Sequence, residues 1–438
     1  MALADTRWQG TSLLCALYVA QGAPWGFMTI AVISFLTSKG ISIGEAGALS
    51  AWVLLPWTFK LIWAPVIDSV TIRSMGRRRS WIIGAEVMMA LTLLTLLGMG
   101  DLTTRLPLLG AMFFLHNCFA SLQDVATDAL AVDILPHEEQ AVTNGLMWGS
   151  KLVGKGAGAA AMAWVMVNWS FSAAVWLQFG LLMVIMAFPL CILERPGEKR
   201  FPWSSGQAAA AGPATSVRSP IVVVKDMLTA FSLRTTAVFA VFAATKLIGS
   251  GVNEIVTKVL YTQELGWGPV EYSSVAGFYV IGPTLVGALA SGFLANRLGR
   301  RTMILFGVVG FSLTAILFAA NPQLWGERWF ATTYLLASEG LLAVASVGFL
   351  SLSMRISWST AAASVFTTFM TLSNVGHVIG NWIAGPVQKL LGGGAAISQA
   401  TYEQTFWFVG IATLIPIALL PLVDVRQVDR AKSEELAS

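Results

Sequence analysis

Apolar runs long enough to cross a bilayer recur along this chain from residue 11 to residue 423, most of them separated by short polar breaks. A bilayer core about 30 Å thick takes about 20 helical residues per crossing. The runs are continuous, which reads as helices; barrel strands would alternate apolar and polar residues over about ten positions. Composition agrees, since 56% of the 438 residues are apolar and 11% are charged, against about 25% charged in a soluble protein. The net charge of +4 is too small and too scattered for a nucleic-acid-binding face. The sequence therefore reads as an all-α polytopic protein whose main surroundings are the lipid bilayer, with no nucleic-acid partner.

Twelve transmembrane helices are expected, at 11–37, 45–67, 81–99, 106–131, 141–167, 170–193, 235–262, 271–295, 302–320, 330–354, 361–386 and 405–423. The first follows a single basic residue, Arg7, with no small-residue cleavage site, so it reads as a retained helix and not a signal peptide. Cys15, Cys118 and Cys191 all lie in apolar segments and read as packing residues. If both termini are cytoplasmic, 18 of the 27 Lys and Arg fall in inner segments and four in outer loops. Positive charge collects on the cytoplasmic side, so both termini are expected there, in the inner (plasma) membrane.

The longest hydrophilic stretch, 194–234, is rich in Pro, Gly, Ser and Ala and reads as a flexible cytoplasmic linker. It divides the chain into an N-terminal six-helix bundle (1–193) and a C-terminal one (235–423), with a cytoplasmic tail at 424–438. The two halves echo each other. The junction of helices 2 and 3 carries Asp68 and then Gly76-Arg77-Arg78-Arg79, and that of helices 8 and 9 carries Asn296-Arg297-Leu298-Gly299-Arg300-Arg301. The duplicated plan resembles the major facilitator superfamily, and the second junction is similar to that superfamily's loop motif, with Asn296 where Asp is usual. The blander reading is that these arginines only anchor the chain on its positive-inside face.

A charge at the bilayer centre costs about 2.5–3.5 kcal/mol on insertion scales, so each ionisable group inside a span needs a partner, water or a role. Asp124 and Asp128 are four residues apart and share one face of helix 4. Two carboxyls confined together can exchange a proton, which is what a proton-coupling site needs; the alternative is a structural role at the helix end. Gln123 flanks the pair and can hydrogen-bond across helices. Lys151 and Lys155 share a face of helix 5 near mid-membrane, where they either pair with Asp124 and Asp128 or await an anionic solute. Gly154, Gly156 and Gly158 permit close approach there by a helix or a ligand.

In the second half, Lys246 on helix 7 and Glu339 on helix 10 lie near the midplane and are candidates for an ion pair, with Asn253 seven residues beyond Lys246 on the same face. Glu254 and Lys258 have the spacing to neutralise each other. Glu86 is close enough to the end of helix 3 to snorkel, and the lone His377 reads first as a packing residue. Helix 1 carries Gln21-Gly22-Ala23-Pro24-Trp25-Gly26, a Gly/Pro break next to which Gln21 is a candidate solute contact or part of a packing kink. A phosphate-cradling Gly-rich loop, a Cys/His set with metal-ligand spacing and a nucleophile–base pair are all missing from the sequence. Neither enzymatic activity nor a cofactor or metal is therefore expected.

The resemblance sharpens at three motifs. Phe59-Lys60-Leu61-Ile62-Trp63-Ala64-Pro65 through Asp68, Gln123-Asp124-Val125-Ala126-Thr127-Asp128 with Asp133 to Glu139, and the helix 1 segment are similar to AmpG-like anhydromuropeptide permeases. Those form one branch of the superfamily with acetyl-CoA transporters and some siderophore importers. The resemblance covers about the first 160 residues and implies alternating access by two six-helix bundles, with helices 1, 4, 7 and 10 lining the cavity. On that basis the chain is expected to be a monomeric secondary transporter importing a sizeable anionic solute with protons. Asp124 and Asp128 would couple protons, while Gln21, Gln123, Lys151, Lys155, Lys246, Asn253 and Glu339 would bind solute. Asp68, Arg77, Arg78, Arg297 and Arg300 would form the inner gate. Siderophore or acyl-CoA cargo is the alternative within the branch, and a non-transporting receptor or scaffold the alternative outside it.

Overall fold

The computed structural model describes residues 7–63, 66–67, 75–194, 198–201, 203–204, 229–357, 362–393 and 398–430. These residues form twelve helical segments, with no strand among the elements described. They are α1 (Arg7–Gly26, continuing through Phe27–Val32 and Ile33–Ser38), α2 (Ile43–Leu54, then 3-10 turns Leu55–Thr58 and Lys60–Ile62), α3 (Arg79–Leu94), α4 (Leu106–Ile134), α5 (His137–Asn168) and α6 (Phe171–Cys191). There follow α7 (Arg234–Thr245 and Ile248–Val259, running on to Glu264), α8 (Pro269–Ser273, Ser274–Tyr279 and Ile281–Leu298), α9 (Arg300–Ala319), α10 (Arg328–Ile356), α11 (Ala362–Leu391) and α12 (Gln399–Leu414, then Ile415–Leu422). Nine of these segments are long and apolar enough to cross a membrane. The others are α2, α5 and α11, and α5 and α11 still run for 32 and 30 residues. The set is consistent with the twelve spans expected. Asp68, most of the 194–234 stretch and residues 431–438 lie outside the described residues.

The described chain divides into two compact units. One comprises the described parts of 1–39, 52–217 and 268–278; the other those of 40–51, 218–267 and 279–438. In the first, α1 packs along α5, and α3 packs against α4 and α6. In the second, α10 packs against α8 and α9, α7 against α11, and α9 against α12. The aromatic side chains of Phe239, Phe242, Phe349 and Phe369 form part of a buried core in that unit. Helix ends follow local chemistry: the Ser170 hydroxyl accepts from Ala173 N at 3.0 Å to cap α6, and Ser398 and Thr401 form a reciprocal capping box on α12.

The arginine-rich junctions have a conformational cause. Gly76 (φ 98°) and Gly299 (φ 93°) both lie in the left-handed region that side chains disfavour, just ahead of α3 and α9 respectively. At the first junction, Glu194 Oε2 accepts from the backbone N of Arg78 (3.0 Å) and Arg79 (3.2 Å), placing a carboxylate at the N-terminus of α3, where helix amides favour negative charge. The buried Arg79 guanidinium donates to five carbonyls, those of Met75, Pro189, Leu190, Lys199 and Arg200. Arg79 therefore ties the end of α6 to the start of α3, a role the sequence did not reveal.

The crossing of α1 and α5 rests on glycine. Gly154 and Gly158 present bare backbone to Val19 and Ala23, so a Cβ on Gly158 would lie 2.8 Å from Ala23 Cα. These glycines serve helix–helix approach. Gly158→Ala is expected to cost about 1–3 kcal/mol through overpacking, read as a lower melting temperature of the purified protein, whereas Gly84→Ala, with open space around it, should be close to neutral.

Candidate functional site

Lys60, Asp124 and Lys151 form the centre of a buried polar cluster in the first unit. The Asp124 carboxylate sits between two ammonium groups, with Lys60 Nζ 3.1 Å from Oδ2 and Lys151 Nζ 3.2 Å from Oδ1. Its side chain is 4% exposed, that of Lys151 5% and that of Lys60 25%, so the cluster is least covered on the Lys60 side. Lys151 also donates to Gln21 Oε1 at 2.8 Å, Gln21 donates to Gln123 Oε1 at 2.5 Å, and Gln123 reaches Glu86 Oε1 at 3.5 Å. One chain of contacts thus joins α2, α4, α5, α1 and α3. Asp128 stands one turn from Asp124 and accepts a hydrogen bond from the Tyr18 hydroxyl on α1. Six of these eight side chains, Tyr18, Gln21, Glu86, Gln123, Asp124 and Lys151, are at most 4% exposed as whole residues, so the network is a desolvated one in which each partner matters.

Aromatic rings surround the cations. Lys151 Nζ lies 4.4 Å from the ring centroid of Trp57, 5.3 Å from those of Tyr18 and Trp148, and 5.9 Å from that of Trp25. Lys155 Nζ lies 4.6 Å over Trp25. Within about 6 Å a ring face attracts a cation, so the rings share in holding both lysines. Pro56 opens the 3-10 turns after α2, which place Trp57, Lys60 and Trp63 against α4. Trp57 Nε1 donates to Asn117 Oδ1 at 3.1 Å and Trp63 Nε1 to Ser121 Oγ at 2.9 Å. Trp57 and Trp63, on either side of Lys60, are therefore tethers that hold it over Asp124.

Several sequence expectations are decided here. Of the two lysines on α5, Lys151 pairs with Asp124, while Lys155 stacks on Trp25. Glu86 does not snorkel: it is wholly buried, and among the described residues its Oε2 has no hydrogen-bond partner. Its position near the helix end suited snorkelling, but its face of α3 is the one packed against α4. Helix 1 does not break at Gln21–Gly26; it stays α-helical through Pro24, and the irregularity is a π-helical turn at Phe27–Val32. Such turns are frequent at functional sites.

In the second unit, Lys246 marks a true interruption. The first half of α7 ends at Thr245, and the helix restarts at Ile248. Lys246 is 8% exposed and its Nζ lies 4.1 Å over the Phe349 ring. Glu339, the partner expected for it, is half-buried on α10. Because the interruption lies just beyond Lys246, its seven-residue spacing to Asn253 no longer fixes a common face. Asn253 instead accepts a hydrogen bond from the buried Tyr334 hydroxyl on α10.

Of the residues expected to form the inner gate, Arg78 donates from Nε to Asp133 on α4 at 3.0 Å, within its own unit, and Arg77 is half-buried beside it. Arg297 and Arg300 are exposed at the α8–α9 junction, and Asp68 lies outside the described residues. Among the described residues no group of His, Cys, Asp and Glu is placed to hold a metal. Sequence reasoning missed Tyr18, Lys60 and the tryptophans around Lys151. Tyr18 could have been found, being three residues from Gln21 on one helix face; Lys60 is 64 residues from Asp124, and no local pattern links them.

The family model described as acetyl-coenzyme A transporter 1 matches residues 11–101, which hold most of α1 and all of α2 and α3. The anhydromuropeptide permease of Escherichia coli (strain K12) is 22% identical over 421 residues, covering 94% of this chain and 79% of the permease. Among solved structures, the nucleoside transporter NupG superposes with a TM-score of 0.67 at 15% identity, covering 94% of this chain and 98% of that one. The D-xylose-proton symporter does so with a TM-score of 0.66 at 12% identity, covering 92% and 97%. The motif resemblance read from helices 1, 2 and 4 is thus matched by relatives of the AmpG-like and acetyl-CoA transporter branch, and the chain is a polytopic membrane protein with the major facilitator transporter fold.

Proposed function

We propose that this protein is a secondary active transporter that imports a sizeable anionic solute together with protons, with a muropeptide-like compound as the first choice of cargo. The observation that carries the reading is the buried cluster of Lys60, Asp124 and Lys151 with Asp128 beside it. Ionisable groups inside a membrane mark ion and substrate pathways, and this cluster pairs cations that can hold an anion with carboxyls that can carry a proton. In this reading Asp124 and Asp128 are the proton carriers. Lys151, Lys155 and Lys246 attract the anionic group, and Gln21, Gln123, Asn253 and Glu339 contact the solute. The rings of Trp25, Trp57 and Trp148 offer apolar faces to its uncharged part.

The chain works by alternating access of two six-helix bundles, 1–193 and 235–423, joined by the 194–234 linker. It resides as a monomer in the inner membrane with both termini and the 424–438 tail on the cytoplasmic side. Asp68, Arg77, Arg78, Arg297 and Arg300 form the gate on that side. A siderophore or acyl-CoA cargo is the alternative within the same branch. The test is uptake of a radiolabelled anhydromuropeptide into proteoliposomes under an imposed pH gradient, with a ferric siderophore and an acyl-CoA as competitors. One proton per solute and one pH unit across the membrane support about tenfold accumulation. Saturable binding without counterflow would overturn transport in favour of a receptor, and displacement by only one competitor would reassign the cargo.

A further inference from the structure

A second cluster of ionisable groups lies inside the other unit, where the sequence promised only a neutralised pair and a packing histidine. Glu254 and Lys258 stand one turn apart on α7, and His377 comes from α11, which packs against it. Each carboxylate oxygen of Glu254 has its own donor: Lys258 Nζ is 2.5 Å from Oε1, and His377 Nε2 is 2.8 Å from Oε2. Lys258 is 2% exposed, while Glu254 and His377 each retain 28% of their side-chain surface. The lysine is thus a fixed buried counter-charge, and the histidine and carboxylate are open on one side. The geometry points to His377, seated on Glu254 and Lys258, as a proton-binding site of its own within the second unit, an inference that rests on the proton-coupled reading above.

The chemistry follows from the hydrogen bonding. A carboxylate only accepts, so the Nε2 that faces Glu254 carries its hydrogen in both charge states of the ring. The proton must then be taken up and given back at Nδ1, for which no hydrogen-bond partner is present among the described residues. No bond other than N–H forms or breaks, and the proton is exchanged with water. With His377 neutral, the charges of Lys258 and Glu254 cancel; with His377 protonated, the three groups carry one net positive charge.

A net charge in low dielectric favours the arrival of an opposite one. Protonation of His377 and binding of an anionic solute therefore help each other, which is the energetic requirement of proton–anion symport. Other charged residues lie on the helices packed against α11: Glu45 on α2, Arg234, Lys246 and Glu264 on α7, Arg328, Glu339 and Arg355 on α10, and Glu403 on α12. The charged group seen at hydrogen-bond distance from His377 among the described residues is Glu254.

The chain contains three histidines, His116, His137 and His377, so imidazole nitrogen NMR of the full-length, histidine-labelled protein in nanodiscs resolves the site without any solute. His377→Gln identifies its signals by their loss. The expected result is an Nδ1 that changes protonation with pH while Nε2 stays protonated. In proteoliposomes with radiolabelled anhydromuropeptide, His377→Gln is expected to lose the part of uptake that depends on the pH gradient and to keep counterflow. An imidazole that holds one protonation state throughout, or His377→Gln with undiminished gradient-driven uptake, overturns the inference. A wild-type protein whose His377 titrates but whose uptake ignores the gradient would instead overturn proton coupling and leave the proton-binding site standing.

Discussion

Asp124→Asn is expected to be the most damaging single substitution in the membrane interior, lowering the melting temperature of the purified protein more than removal of either lysine. The carboxylate is the shared partner of Lys60 at 3.1 Å and Lys151 at 3.2 Å. Without it, two ammonium groups face each other in a desolvated space. Removing one partner of a buried ion pair costs about 3–5 kcal/mol, most of it the penalty of the charge left behind, and here two are left. Lys151→Met is milder, because Asp124 keeps Lys60 and the rings around Lys151 accept an apolar side chain. The double variant Asp124→Asn/Lys151→Met removes one of the two stranded charges, so it should be more stable than the sum of the singles by about 0.5–3 kcal/mol. Thermal unfolding of the four proteins in one detergent measures this directly, and strictly additive losses would show that the two residues do not act as a pair.

What the sequence made legible follows the range of the forces involved. The helices were readable because each is a local apolar run, and the six-plus-six division was expected from the 194–234 stretch and the two arginine-rich junctions. Asp124 and Asp128 stood out because four residues make one helical turn. Their partners were harder to read: Tyr18 shares a helix face with Gln21, but its approach to Asp128, like that of Lys60 to Asp124, is set by packing between helices. Glu86 was misplaced because distance from the helix end says nothing about which face is buried. The interruption at Lys246 carried no signal, as neither Lys246 nor Leu247 is a helix breaker; conversely Pro24, a strong breaker signal, sits inside an unbroken helix. His377 was read alone because the carboxylate that gives it a second reading is 123 residues away.

Asp128→Asn separates proton coupling from stability. Among the described residues it accepts a single hydrogen bond, from the neutral Tyr18 hydroxyl, and makes no ion pair. Asparagine keeps an acceptor oxygen for that hydroxyl and strands no cation. The variant should therefore fold with a melting temperature close to that of the wild type, in contrast to Asp124→Asn. Its transport should not be close. A neutral amide cannot carry a proton, so if Asp128 is a carrier, the about tenfold accumulation that one pH unit supports for one coupled proton collapses toward simple equilibration, while exchange of labelled for unlabelled solute continues. Measuring both quantities on the same preparation decides the assignment. Lost accumulation with intact exchange and intact folding places the proton on Asp128; full accumulation by the variant removes Asp128 from the coupling path and leaves it as the anchor of Tyr18 beside the Lys151 ammonium.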